Sequence, residues 1–202
     1  MSQLDLLKKS NSLQVITDLI NRLFHPKDLS SSNKTTLDSL ETRGEFVKGI
    51  NFNGKAVTID GYSWTSYSSA LANGLSVPEA ISITTSVKPQ PSADRDTRNM
   101  LNSVVCKNHK LEIRQTLPNG TYNVYLWIIE NYVSNHHSMD VSLGDETVAQ
   151  GIGTLPFQSW AKYGPYLTTV TDSVLNLALT TTDPEKDAHI MGMAIFKSSS
   201  PE

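Results

Sequence analysis

The sequence predicts an all-β protein, a jelly-roll β-sandwich carrying a helical N-terminal arm. Two patterns from Phe46 onward carry the β prediction. Short runs alternate apolar and polar residues, and turn dipeptides separate them at regular spacing. A third pattern, apolar residues at helical spacing, is confined to the first part of the chain and sets residues 1–45 apart from residues 46–202.

In the arm, Leu13, Ile16, Ile20, Leu23 and Phe24 fall on one helical stripe, widened by Val15 and Leu19. Asn11 or Ser12 supplies a capping oxygen for the free N–H groups of the first turn. His25-Pro26 ends the pattern, because proline disfavours the helical region for the residue before it. A Ser-rich stretch, Leu29–Lys34, reads as a linker, and a short second helix is expected near Leu37–Thr42. The stripe needs a cover. Either it packs back on its own domain, or it docks on another chain as a helix in a groove.

The body opens with a strand over Phe46–Phe52, the turn Asn53-Gly54, a strand over Ala56–Ile59 and the turn Asp60-Gly61. Ile81–Val87 alternates, and Asp94–Val105 has room for a short helix carrying Met100 and Leu101. Leu111–Ile113 is a strand closed by Pro118-Asn119-Gly120. Thr121–Ile129 is the clearest strand. It puts Tyr122, Val124, Leu126 and Ile128 on a core face, and Tyr125 and Trp127 on the other. Met139–Leu143, Val174–Leu179 and Ile190–Phe196 complete the set.

Composition narrows the function classes. Hydrophobic residues are 38% and charged residues 18% of 202, enough apolar material for a core. With 17 Lys+Arg against 20 Asp+Glu the net charge is −3, and there is no basic stripe to follow a nucleic acid. Nothing in the charge pattern points to a membrane surface, and no run approaches the roughly 18 apolar residues of a membrane span. Cys106 is the only cysteine, so stability comes from burial and not from an intrachain disulfide. No signal-peptide pattern is visible, which leads to the expectation of synthesis in the cytoplasm.

Four stretches of the body carry a resemblance: Ile50–Trp64, Leu117–Asn131, Met139–Val148, and Tyr163–Leu177 together with Ile190–Phe196. In this order they resemble the galactose-binding-like jelly-roll modules, especially malectin-like carbohydrate-binding domains, over residues 46–197. The resemblance implies a β-sandwich that binds sugar, with Glu130 at a family-like position where the long strand ends. The arm has no counterpart in it.

Catalytic signatures are missing. There is no Gly-x-Ser-x-Gly elbow, no phosphate loop and no dinucleotide fingerprint, and the protein is expected not to be an enzyme. Cys106, after Val104-Val105, reads as a small core residue. His136-His137 reads as a solvated loop, because neighbours on a strand point to opposite faces, and no metal is assigned. Asp183, Glu185 and Asp187 offer oxygens of the kind calcium takes, but an exposed loop explains them as well, and no cofactor is expected. Aromatic plates beside carboxylates and amides suit sugar rings. The glycan candidates are therefore Trp64, Trp127, Glu130, Asn131, Trp160 and Tyr163, with core packing as the competing account of each tryptophan.

Together these readings predict a non-catalytic binding and assembly module. Its arm engages a protein partner, the body is displayed on a larger assembly such as a phage or viral decoration, tail or fibre protein, and cell-surface glycan is the candidate ligand. A free-standing lectin-like protein is the alternative, and a glycoside-active enzyme a more distant one.

Overall fold

A computed structural model describes residues 44–198, which fall within the second of two compact units, Thr42–Glu202. The arm positions Leu13, Ile16, Ile20, Leu23 and Phe24, and the second helix expected near residues 37–42, lie outside the described residues.

The chain runs β1 (Glu45–Asn51), β2 (Val57–Ile59), β3 (Tyr62–Ser66), α1 (Tyr67–Ala72), β4 (Leu75–Ser76), β5 (Ile81–Thr84) and α2 (Arg95–Leu101). It continues β6 (Ser103–Asn108), β7 (Lys110–Thr116), β8 (Gly120–Ile129), β9 (Met139–Leu143) and β10 (Glu146–Ile152). β11 (Trp160–Val170), β12 (Val174–Thr181), β13 (Asp187–Ile190) and β14 (Gly192–Lys197) close it. Three sheets result: β11-β8-β14-β1-β3-β2, β10-β9-β12-β7-β4 and β13-β6-β5. The protein is an all-β sandwich, as the alternation predicts.

The turn dipeptides act as expected. Asp60 and Gly61 both have positive φ, 52° and 81°, and join β2 to β3 with Ile59 opposite Tyr62. That is the backbone a two-residue hairpin needs to match strand twist. Asp94 caps α2 by accepting from the N–H groups of Asp96 and Thr97. The helix stops at Leu101, and Val104 and Val105 belong to β6, so the helical stretch is shorter than the Asp94–Val105 window. Ile81–Val87 gives only the four-residue β5, an edge strand exposed along its whole length.

β8 lies inside the six-stranded sheet between β11 and β14, and both of its faces are buried. Tyr122, Val124, Leu126 and Ile128 pack on Leu111, Ile113, Val141, Leu177 and Leu179 of the five-stranded sheet. Tyr125, Trp127 and Ile129 form a second core with Trp64, Met100, Leu101, Val104, Cys106 and Phe196. The second aromatic face of β8, for which the sequence offers either sugar contact or core packing, is thus roofed by α2 and β6. Burying Met100 and Leu101 is worth about 1.5–3 kcal/mol each.

Candidate functional site

The site forms where β8 ends. Pairing with the neighbouring chain continues past Ile129: the Glu130 N–H donates to the Ser159 carbonyl and the Gln158 N–H to the Glu130 carbonyl. Glu130 is fully buried, and its carboxylate organises the loop that follows. It accepts from the backbone N–H of Tyr132 (3.1 Å), His136 (3.1 Å) and His137 (3.1 Å), and meets His137 Nδ1 at 3.0 Å. Asn135, at φ 59°, turns the loop so that His137 folds back under it. The pair lies in a loop, as the sequence predicts, but His137 is buried and not solvated, which corrects that part of the reading. The strand argument against the two histidines acting together does not apply, because they sit in a turn, with ring centroids 4.8 Å apart.

The opposite wall comes from β13. Strand alternation sends Ala188 and Ile190 into the main core, and Asp187 and His189 to the other face. There His137 Nε2 lies 3.5 Å from Asp187, and the His189 ring lies 3.7 Å from that of His137. The pair Asp187/His189, two residues apart on a strand, is a legible signal. It escapes the sequence reading because that reading begins the strand at Ile190. The calcium grouping does not form: Asp183 accepts from the Glu185 N–H within its own turn, and Asp187 is turned to His137.

The charges settle one another. Burial pulls the His137 imidazolium down, but the carboxylates of Asp187 and Glu130 outweigh it and hold its pKa at about 9. Burial raises Glu130, yet the hydrogen bonds from His137 keep it below the usual carboxylate range. The His137 hydrogen bond holds Asp187 down at about 2. Burial, reinforced by the charge on His137, keeps His189 neutral. Burial and the charge of Asp187 push the Cys106 thiol up to about 12, so this cysteine is a buried thiol and not a nucleophile.

Between these walls lies an open cleft of about 420 Å³, lined by Ile83, Asn131, Tyr132, His136, Asp187 and His189 among others. Its volume is in the range of small-ligand sites. Among the described residues, His136, His137 and Asp187 are the group whose potential metal-ligand atoms converge, all within 4.8 Å of one another.

The remaining sequence candidates disperse. Trp64 and Trp127 are each 3% exposed and pack edge to face at 4.9 Å, so neither ring is presented as a plate for sugar. The placement of Trp64 depends on two glycines: a Cβ at Gly49 would meet its ring at 2.4 Å, and one at Gly192 at 2.8 Å. Trp160 is half-buried and donates from Nε1 to the Pro91 carbonyl, 2.7 Å. The Tyr163 hydroxyl accepts from the Gly153 N–H, 3.0 Å, on the rim of the main core. Of the six candidates, Asn131 reaches the cleft and Glu130 stands directly behind it. Tyr132, with 66% of its surface exposed, is the phenol ring at the cleft, and it is not among the six.

No family profile and no curated protein matches the chain. Solved structures do. A calcium-binding mutant of Bacteroides uniformis beta-glucuronidase 2 matches with TM-score 0.60 and 13% identity, over 84% of this chain and 19% of that one. The ANXUR1 extracellular domain from Arabidopsis thaliana matches with TM-score 0.59 and 15% identity, over 77% and 49%. The plant receptor-like kinase FER matches with TM-score 0.56 and 15% identity, over 77% and 42%. The chain therefore spans about a fifth of the glucuronidase chain and under half of the receptor chains. These likenesses, each at 15% identity or less, show the fold alone: a β-sandwich shared with part of a beta-glucuronidase and of plant receptor-like kinases.

Proposed function

We propose that the chain is a non-catalytic binding module whose ligand, a glycan, lies in the cleft beside the loop after β8. The observation that carries this is the exposed ring of Tyr132 next to Asn131 and His136. It is an apolar plate flanked by an amide and an imidazole that can reach hydroxyl groups. The non-catalytic reading rests on the carboxylates. Glu130 is fully buried and its oxygens are committed to three backbone N–H groups and His137, so it is not poised to protonate a glycosidic oxygen.

The test is a glycan array on the protein in chelator, followed by titration calorimetry of the best binder. Tyr132→Ala is expected to weaken that glycan by about tenfold or more, in line with losing 1–3 kcal/mol of aromatic contact, while stability changes by less than about 0.5 kcal/mol. A blank array, or full affinity in Tyr132→Ala, overturns the reading.

The finer form of this proposal is an assembly subunit made in the cytoplasm, with residues 1–45 anchoring the sandwich to a larger particle such as a virion. The apolar stripe at Leu13, Ile16, Ile20, Leu23 and Phe24 supports it. Light scattering is expected to find the full chain in oligomers and a chain starting at Gly44 as a monomer. If both are monomers, the free-standing glycan binder replaces it.

A further inference from the structure

We infer that His136, His137 and Asp187 form a three-ligand site for a divalent transition metal of the zinc class, with Glu130 as the positioning residue behind His137. This site does not depend on the carbohydrate reading and is tested by the metal alone.

The first support is convergence. One nitrogen from each histidine and one oxygen of Asp187 all lie within 4.8 Å of one another. His137 Nε2 and the nearest Asp187 oxygen are 3.5 Å apart. Two ligands bonded at 2.0–2.2 Å to a tetrahedral ion stand about 3.4 Å from each other. That pair already has the spacing of one edge of such a polyhedron, and the third ligand, His136, is a half-exposed side chain on the same loop.

The second support is the arrangement behind the ligands. Glu130 takes the Nδ1 side of His137 at 3.0 Å, which leaves Nε2 directed at Asp187 and the cleft. A carboxylate holding the far nitrogen of a metal-bound imidazole fixes its tautomer and strengthens it as a donor. The same carboxylate accepts from the His136 and His137 backbone N–H groups, so one buried group sets both histidines.

The third support is a polar atom left over. His189 is buried against His137 and lines the same cleft, and its Nε2 has no hydrogen-bond partner. Buried polar atoms are rarely left without one. Three protein ligands leave a coordination position for water, and a metal-bound water gives His189 Nε2 a partner.

The donor set selects the ion. Two imidazoles and one carboxylate suit zinc or cobalt, whereas calcium takes six to eight oxygens. On binding, the ion replaces the proton between His137 Nε2 and Asp187, and that proton passes to solvent.

The experiment uses the full chain stripped with chelator and titrated with Zn²⁺ by calorimetry and with Co²⁺ by visible absorption. One equivalent of each is expected, with the intense d–d bands of a low-coordinate cobalt site. His136→Ala and Asp187→Asn are each expected to weaken binding by about tenfold or more. His109→Asn, whose exposed side chain is neither in the converging group nor in the cleft lining, is expected to leave it unchanged. His136 is only half-buried, so His136→Ala keeps the test valid if Asp187→Asn proves unstable; circular dichroism checks both. Failure to bind a stoichiometric equivalent, or unchanged affinity in His136→Ala, overturns the site.

Discussion

Replacing Glu130 with alanine is expected to lower the unfolding free energy by about 3–5 kcal/mol, the usual cost of removing one partner from a buried ion pair. The change strands the N–H groups of Tyr132, His136 and His137 together with the ring of His137. Against a typical total of about 5–15 kcal/mol this is a large fraction, and Tm should fall by on the order of 10 °C. Glu130→Gln keeps an acceptor oxygen and should lose less. The pH profile gives a second signature in metal-free protein. His137 titrates near 6.5 when unfolded and about 9 when folded. Its raised pKa therefore stabilises fully below pH 6.5, and that stability is lost as pH rises through 9. The alkaline decline should shrink in Glu130→Ala, because Glu130 is one of the two groups that raise His137. Urea denaturation between pH 6 and 10 measures both effects. A loss under about 1 kcal/mol with an unchanged alkaline limb would show that the loop stands without this carboxylate.

Trp127→Ala is expected to cost about 3–5 kcal/mol through the cavity left in the second core. The indole packs edge to face on Trp64, and the Lys162 ammonium lies 4.7 Å above its ring while pairing with Asp60 at 2.9 Å. Removing it opens space next to a site where Gly192 has no side chain to fill the gap. Glycan affinity, once the stability loss is allowed for, should stay within about twofold. Tyr132→Ala should show the reverse, intact stability with lost affinity. A Trp127→Ala protein that melts normally but fails to bind would return this tryptophan to the ligand site.

Much of the fold is readable along the chain because strands and turns are local. Alternation marks β8, β9 and β12, and the Asp60-Gly61 turn marks its hairpin, since side-chain period and positive φ are properties of neighbouring residues. The sandwich class follows from those elements in order. Which aromatics are buried does not. Along the chain Trp64 and Trp127 fit either a sugar plate or the core, and the choice falls only when α2 and β6 are laid over the second face of β8, a contact between segments distant in sequence. The cluster behaves the same way. His136 and His137 are adjacent, but Asp187 and His189 lie about 50 residues on and join them only because β13 pairs with β6 beside the end of β8. Sequence by itself determined the all-β class and the Asp60-Gly61 hairpin. Only the tertiary structure decided that Glu130 is a buried organiser, that Tyr132 is the exposed ring, and that two histidines and an aspartate converge. Burial and convergence depend on which distant strands pack together, and no local pattern encodes that.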